Sequence, residues 1–547
     1  MYLQRSTLAK RTALIFFLAV AAFYLYGLGQ SPLVGPDEPR YAEVAREMYL
    51  RGDMITPTLG GYVWFEKPAL LYWMMMGSYK LFGFTEFAAR LGPALCGLLT
   101  IFFIYWLGSR IDRTRDEEKG IGGLGLWSGV AFASSVGAIV FSHGASFDIP
   151  LTMTVTLALV CFYTSEIEAS EKRRRHFLAI FYFAIGLSLL AKGLVGIVIP
   201  ACVIGLYYLL RREWPGKNLL LSALWGVPLA LAVASIWYAP VIARHGWPFI
   251  DQFFIQHHFE RFVSNKYHHP QPFYFYLPVM TLLTLPWTAF LVAELGKARG
   301  WDWRGPDVKS KARVFALAWL FAPVLFFSFS VSKLPAYVLP ALPGAALLAG
   351  VRLSSFVRAE TGKLEMRLTG AILFLLTAAG LVYTFRTDEI TFACALLLLT
   401  PLALAGALVF VMKNRATLVE LIVSAMFISV ALALACAAAP IAQRVSVRDL
   451  LRLAGARGYG SSPVFFMLSA DRTAEFYAAG RLIYKPDADT LRFDDAKEIA
   501  DKTRQAGGTA LVIISTELEE KLTNYPALET EIIGRNGVQT LAVVHNR

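Results

Sequence analysis

Long apolar runs, separated by short polar segments, recur along most of this chain. Segments 13–29, 219–242 and 391–412 hold about twenty residues each, enough as helices to cross a hydrocarbon layer of about 30 Å. The same pattern places thirteen spans near 12–29, 88–109, 121–141, 147–165, 177–191, 194–210, 219–242, 277–296, 314–331, 336–351, 368–385, 391–412 and 418–438. As one helix, 177–210 would be roughly 50 Å long, so it is divided at Lys192-Gly193 into two helices with a tight turn. The expected fold is an all-α polytopic membrane domain over residues 1–439. Beyond it the period changes. Strand-like runs (VFFML, ALVII, and EIIGRNGVQTLAVV with its Asn-Gly turn) alternate with helical ones (VRDLLRLAG, FDDAKEIADKTRQAG). This predicts a small soluble α/β domain over residues 440–547. It has no phosphate loop and no G-x-G-x-x-G after a strand, so no nucleotide is assigned to it.

Two polar segments follow the first apolar run: GPDEPRYAEVAREM (Gly35 to Met48) and WFEKP (Trp64 to Pro68). In YAEVAREMYL, Tyr41, Val44, Ala45, Met48 and Tyr49 recur at helical spacing, with Glu43, Arg46 and Glu47 on the other face. This predicts an amphipathic helix lying in the membrane interface. ALLYWMMMGSYKLFGF (69–84), rich in aromatics and Met, predicts a second interfacial helix.

Hydrophobic residues make up 56% of the chain and charged residues 17%, which excludes an ordinary soluble globular protein. The net charge of +12 comes mainly from short basic loops such as EKRRRH, RREWPGK and KARGWDWRGPDVKSKAR. Positive loops are retained in the cytoplasm, so this bias predicts topology and not nucleic-acid binding. With a cytoplasmic N-terminus, roughly two dozen Lys and Arg fall in the inner loops against about ten in the longer outer ones. Arg5, Lys10 and Arg11 precede the first run, but no small-x-small cleavage pattern follows clearly, so an uncleaved first helix is expected. Thirteen spans place the C-terminal domain outside. The five cysteines (Cys96, Cys161, Cys202, Cys394, Cys436) all lie in apolar stretches without metal-ligand spacing. Neither disulfides nor zinc thiolates are expected of them.

This topology collects the unusual polar residues on the outer face. Asp37 and Glu38, between Pro36 and Pro39, serve either as a general base or orienting group, or as a helix N-cap and surface charge. Lys67, Arg40, Lys192, Arg261 and Lys333 are outer cations suited to a lipid phosphate, or to snorkelling toward headgroups. Asp148 opens the fourth span after a very short outer loop, as a site residue or as an N-cap. His257, His258, His268 and His269 are half of the eight histidines. With Glu66 or Asp37 they offer ligands for a divalent ion such as zinc, His258 and Glu66 foremost, although HH…HH is not a standard zinc spacing. Aromatics around them (Phe259, Tyr267, Phe273, Tyr274, Tyr276) read as an interface belt. No G-x-S-x-G, H-E-x-x-H or Walker pattern is present on a suitable element.

PDEPRYAEVAREM, FEKP, the Phe-Asp before the fourth span, AKG at 191–193, HFERF at 258–262 and SKLPAYVLP at 332–340 occur in collinear order. Together they resemble the GT-C class of integral-membrane glycosyltransferases. Within it the resemblance is to the bacterial 4-amino-4-deoxy-L-arabinose (aminoarabinose) lipid A transferases, relatives of protein O-mannosyltransferases. The resemblance implies a pentosyltransferase that takes aminoarabinose from undecaprenyl phosphate and places it on a lipid A phosphate. It would act as a monomer at the periplasmic face of the bacterial inner membrane and confer resistance to polymyxin and other cationic peptides. In that reading Asp37, Asp148 and Glu66 are catalytic. Lys67, Arg261, Lys333, Tyr337 and Arg40 hold the donor phosphate, and Glu66 with His258 is the metal candidate; no other cofactor is called for. The alternatives are a protein O-glycosyltransferase on the same scaffold and a lipid-linked sugar flippase. The absence of internal repeats and of charges at the bilayer midplane disfavours the flippase.

Overall fold

The computed structural model describes residues 15, 17–113, 123–260, 270–358, 360–387 and 389–547, without the side chains of Arg113, His258 and Phe259. Among the described residues its membrane part is built mainly of helices. Helix α1 (17–25) leads into the interfacial α2 (Asp37–Arg51), the two-stranded ribbon β1 (Thr58–Leu59) and β2 (Tyr62–Val63), and α3 (Leu70–Phe82). The bundle continues with α4 (Glu86–Arg113), α5 (Leu124–Ala133), α6 (Val136–Ser142), α7 (Asp148–Ile167), α8 (Glu171–Lys192), α9 (Val195–Arg211) and α10 (Lys217–His245). Helices Val308–Ser328, Leu342–Val357, Lys363–Arg386, Phe392–Val411 and Arg415–Ala433 complete it.

Among the described residues nine helices are long and apolar enough to cross a membrane, or ten if the pair α5–α6, bent by 58°, is one span. Of the thirteen expected spans, the first (12–29) falls partly outside the described residues, and two, 194–210 and 277–296, are short or broken helices. Helix α9 has only 17 residues. The run 277–296 divides into Tyr276–Leu283 and Thr288–Gly296 around Pro286, which lacks an N–H to continue the ladder. The bend between α5 and α6 falls at Ser134-Ser135, where the Ser135 hydroxyl caps α6 by accepting from the Ala138 amide.

Close packing follows from small residues and self-satisfied hydroxyls. A Cβ on Gly108 would lie 2.6 Å from the Gly125 Cα, so α4 and α5 approach backbone to backbone. In the buried α7, Thr152, Thr154, Thr156 and Thr164 each donate to a carbonyl four residues back, which hides their polarity inside the helix. Tyr276 is fully buried and donates to the Leu334 carbonyl at 3.2 Å; it belongs to the core and not to an interface belt.

Two cysteines correct the sequence reading: Cys394 and Cys436 form a disulfide, with Cα atoms 6.0 Å apart. Each lies in an apolar run, but Cys394 begins helix Phe392–Val411 and Cys436 lies beyond the end of Arg415–Ala433. An antiparallel hairpin brings those two ends to the same face.

The C-terminal domain is a five-stranded sheet in the order β4-β3-β5-β7-β6. The strands are β3 (Val464–Met467), β4 (Arg492–Phe493), β5 (Thr509–Ser515), β6 (Leu528–Arg535) and β7 (Gln539–Asn546). Strand β3 pairs in parallel with β4 and β5, and β7 is antiparallel to β5 and β6. Alternation along β5 sends Leu511 and Ile513 into one apolar layer and Val512 and Ile514 into the other.

This domain changes the environment predicted for α2. Glu43 and Arg46, read as the wet face of an amphipathic helix, are buried as an ion pair. Arg46 also donates to the Phe476 carbonyl at 2.9 Å and lies over the Phe476 ring. Helix Thr473–Tyr477 of the C-terminal domain covers the face that sequence alone assigns to water.

Candidate active site

The ends of several helices enclose a cavity of about 500 Å³ at one end of the bundle. Its polar wall carries Asp37, Tyr41, Glu66, Lys67, Ser146, Asp148, Lys192, His257 and Tyr337, and its apolar wall includes Phe147, Leu194, Val198, Phe326 and Phe327. Charged groups at one end and apolar walls beside them suit a ligand with an anionic head and a hydrocarbon body.

Each charged side chain is placed by a local device. Asp37 is the first residue of α2, exposed, with the positive end of the helix dipole behind it. Its neighbour Glu38 points elsewhere. Its carboxylate accepts from Arg90 of α4 at 2.8 and 3.0 Å, from the Ala145 amide at 2.7 Å and from the Val34 amide at 3.1 Å. Burial pushes the Glu38 carboxyl up, but the Arg90 charge and these bonds outweigh it, and the net shift is downward. Arg90 further donates to the carbonyls of Leu28, Ser31 and Pro32, so the Glu38–Arg90 pair fastens the turn that presents Asp37.

Two lysine–carboxylate pairs lie on the cavity wall. Lys67 donates to adjacent Glu66 at 2.6 Å. Lys192, the last residue of α8, pairs with Asp148, the first residue of α7, and its ammonium lies 5.2 Å from the centre of the Tyr337 ring. Three carboxylates and two ammoniums thus share one half-buried pocket. A ligand phosphate can exchange with a carboxylate at either lysine without bringing a new cation into the membrane.

The structure gathers Asp37, Glu66, Lys67, Asp148 and Tyr337 but sends other expected site residues elsewhere. Lys333 is buried and donates to the carbonyls of Gln271 at 2.9 Å and Ser330 at 2.5 Å, so it staples two loops and does not line the cavity. Burial lowers the affinity of its amine for a proton. Arg40 also leaves the cavity wall: it donates to Glu475 of the C-terminal domain at 3.3 Å and stacks 5.0 Å from the centre of Trp64. Burial works against the Arg40 charge, but Glu475 and then Glu66 outweigh it, and the net shift is upward. Arg261 and the His258 side chain lie outside the described residues; His257 is the histidine that reaches the cavity. Among the described residues no three His, Cys, Asp or Glu side chains group closely enough to hold a metal ion. The cavity wall carries the carboxylates of Asp37, Glu66 and Asp148 and the imidazole of His257.

The sequence groups Lys192 with the outer cations suited to a lipid phosphate but does not pair it with Asp148, which stands 44 residues away. Its position at the turn before Gly193 is the available signal. Arg90 carries none beyond being a lone cation near the start of an apolar run.

A family model described as dolichyl-phosphate-mannose-protein mannosyltransferase matches residues 9–294, more than half of the chain. The chain belongs to this family. Relatives named undecaprenyl phosphate-alpha-4-amino-4-deoxy-L-arabinose arabinosyl transferase share its sequence more broadly. The one from Yersinia enterocolitica is 31% identical over 360 residues, which cover 65% of this chain and 61% of the relative. A second, from Pseudomonas fluorescens, is 32% identical over 386 residues, covering 69% and 66%. The match therefore spans about three fifths to two thirds of these relatives' length. The architecture, C-terminal domain included, is similar to that of ArnT from Cupriavidus metallidurans, solved bound to undecaprenyl phosphate. The likeness has a TM-score of 0.79 at 24% identity and covers 97% of this chain and 98% of that one. This establishes a shared fold for a multi-pass membrane protein with nearly all of its length in common.

Proposed function

We propose that this protein is a polyprenyl-phosphate-dependent pentosyltransferase. It moves 4-amino-4-deoxy-L-arabinose from undecaprenyl phosphate to a lipid A phosphate at the periplasmic face of the inner membrane. The observation that carries this reading is the pairing of Lys67 with Glu66 and of Lys192 with Asp148 in a cavity whose other wall is apolar. The names of the relatives support the sugar and the donor lipid, and the basic loops support the orientation.

In the reaction an oxygen of the acceptor phosphate attacks the anomeric carbon, and the bond from that carbon to the donor phosphate oxygen breaks. The electron pair leaves with undecaprenyl phosphate. Its growing negative charge is met by the Lys67 and Lys192 ammoniums, which favour the transition state over the bound donor. An acceptor phosphate arrives already ionised, so no strong base is needed. Asp37 is then free to orient the sugar or to stabilise positive charge developing on the ring or carried by its amine. Tyr337, beside the Lys192 ammonium, closes the phosphate end. No step here depends on a metal ion.

The test is mass spectrometry of lipid A from cells with and without this protein. An added aminoarabinose mass that requires Asp37 and Lys67 is expected. The family description also supports a protein acceptor. Unchanged lipid A with altered glycoproteins, or transfer by the purified protein to an acceptor peptide and not to lipid A, would establish that reading instead.

A further inference from the structure

We infer that Glu475, in the C-terminal domain, is a positioning residue for the membrane cavity and acts through Arg40. The inference rests on the cavity being the site of transfer, as proposed above.

The Glu475 side chain has no exposed surface. A carboxylate so enclosed is costly unless both oxygens are paired. One receives Arg40 at 3.3 Å and the other Arg472 at 2.8 Å. Arg472 belongs to the same domain as Glu475; Arg40 belongs to α2. Arg40 stands three residues after Asp37, one helical turn along, and its guanidinium lies over Trp64, two residues before Glu66 and three before Lys67. A single planar side chain therefore joins the helix that presents Asp37 to the segment that presents Glu66 and Lys67. Glu475 accepts from its Nε and anchors it there.

Docking of the domain does not need this bond. Arg448 reaches Glu86 of α4 at 3.2 Å, Tyr477 donates to Glu86 at 3.0 Å, and Arg46 reaches the Phe476 carbonyl at 2.9 Å. Together these contacts join the domain to the bundle independently of Arg40. Arg40–Glu475 adds alignment of the two acid-bearing segments, and misplacing reacting groups by about 1 Å is enough to lower a rate about a hundredfold.

The experiment uses the full chain purified in detergent, with undecaprenyl-phosphate-linked sugar and lipid A, comparing Glu475→Gln, Arg40→Gln, the double variant and Arg448→Gln. We expect Glu475→Gln and Arg40→Gln each to lower kcat about ten- to a hundredfold with a smaller change in donor KM. The double variant should be no worse than either single variant. Arg448→Gln should reduce thermal stability and leave kcat of the folded protein near that of the parent. Additive losses, or wild-type kcat in Glu475→Gln, would overturn the inference. Should Glu475→Gln not fold, Arg40→Lys decides: it keeps the charge but loses the planar fork, and full kcat there overturns the inference equally. Asp37→Asn runs in parallel. If it retains full transfer the cavity is not the site; if it is inactive while Glu475→Gln is unaffected, only the role of Glu475 fails.

Discussion

The carboxylate of Asp148, at the start of α7, is paired with the ammonium of Lys192, at the end of α8, across 44 residues of chain. Two antiparallel membrane helices thus close on one ion pair at the rim of the cavity. Lys192→Met should lower kcat about a hundredfold or more, the usual cost of losing a donor aimed at developing charge. It should also destabilise the protein by about 3–5 kcal/mol, because Asp148 is left unpaired in a poorly solvated place. The double variant Asp148→Asn/Lys192→Met should regain most of that stability and none of the turnover. Thermal unfolding in detergent, set beside a transfer assay, separates the two effects.

Asp37 presents the opposite case. It is exposed in the first turn of α2, so Asp37→Asn should cost under about 1 kcal/mol, the loss of its favourable interaction with the helix dipole. Turnover should nevertheless fall by about 10²–10³. Equal losses of stability and of activity would return Asp37 to a helix-terminal role.

Glu38 should make the fold acid-sensitive. Its folded pKa lies below the unfolded value, so its contribution is complete above the unfolded carboxylate pKa of about 4.3 and is lost as pH falls through the folded value. Unfolding temperatures should therefore decline on acidification below about pH 4.3, with a shallower decline in Glu38→Gln. The same slope in both proteins would place the acid sensitivity elsewhere.

Lys333 separates a loop staple from a phosphate ligand. Because its ammonium is held by the carbonyls of Gln271 and Ser330, Lys333→Met should lower stability by about 1–3 kcal/mol and leave donor KM nearly unchanged. Lys67→Ala, which removes an ammonium from the cavity wall, should instead lower kcat about a hundredfold. A large rise in donor KM in Lys333→Met, at normal stability, would restore Lys333 to the phosphate site.

The Cys394–Cys436 bridge closes the last membrane hairpin. Replacing both cysteines with serine should cost about 2–4 kcal/mol and leave transfer intact, since neither residue lines the cavity. Peptide mapping without reduction checks the pairing directly.

Much of this protein is set by local chemistry, and that part is legible in the chain. Apolar runs of bilayer length must become helices, because backbone groups in hydrocarbon have no other partners. A period-two pattern with an Asn-Gly turn must become paired strands, and β6 and β7 flank Gly537 in the structure. The basic loops carry the bias from which an orientation is read. Asp37, Glu66, Lys67 and Asp148 could be named as polar residues flanking apolar runs, and Tyr337 through the resemblance carried by SKLPAYVLP.

Tertiary structure alone decided which of those residues face one another. Lys333 and Arg40 have the same credentials as Lys67 in the sequence, yet one ends among backbone carbonyls and the other beneath the C-terminal domain. Glu43 and Arg46 read as a wet face until the helix bearing Phe476 covers them. Cys394 and Cys436 read as filler until a hairpin brings their ends together. The reason is common to all of these cases. Side-chain type and spacing determine what a residue can do along its own helix, whereas the choice between cavity, carbonyl and domain depends on partners tens or hundreds of residues away. Folding alone brings those partners near.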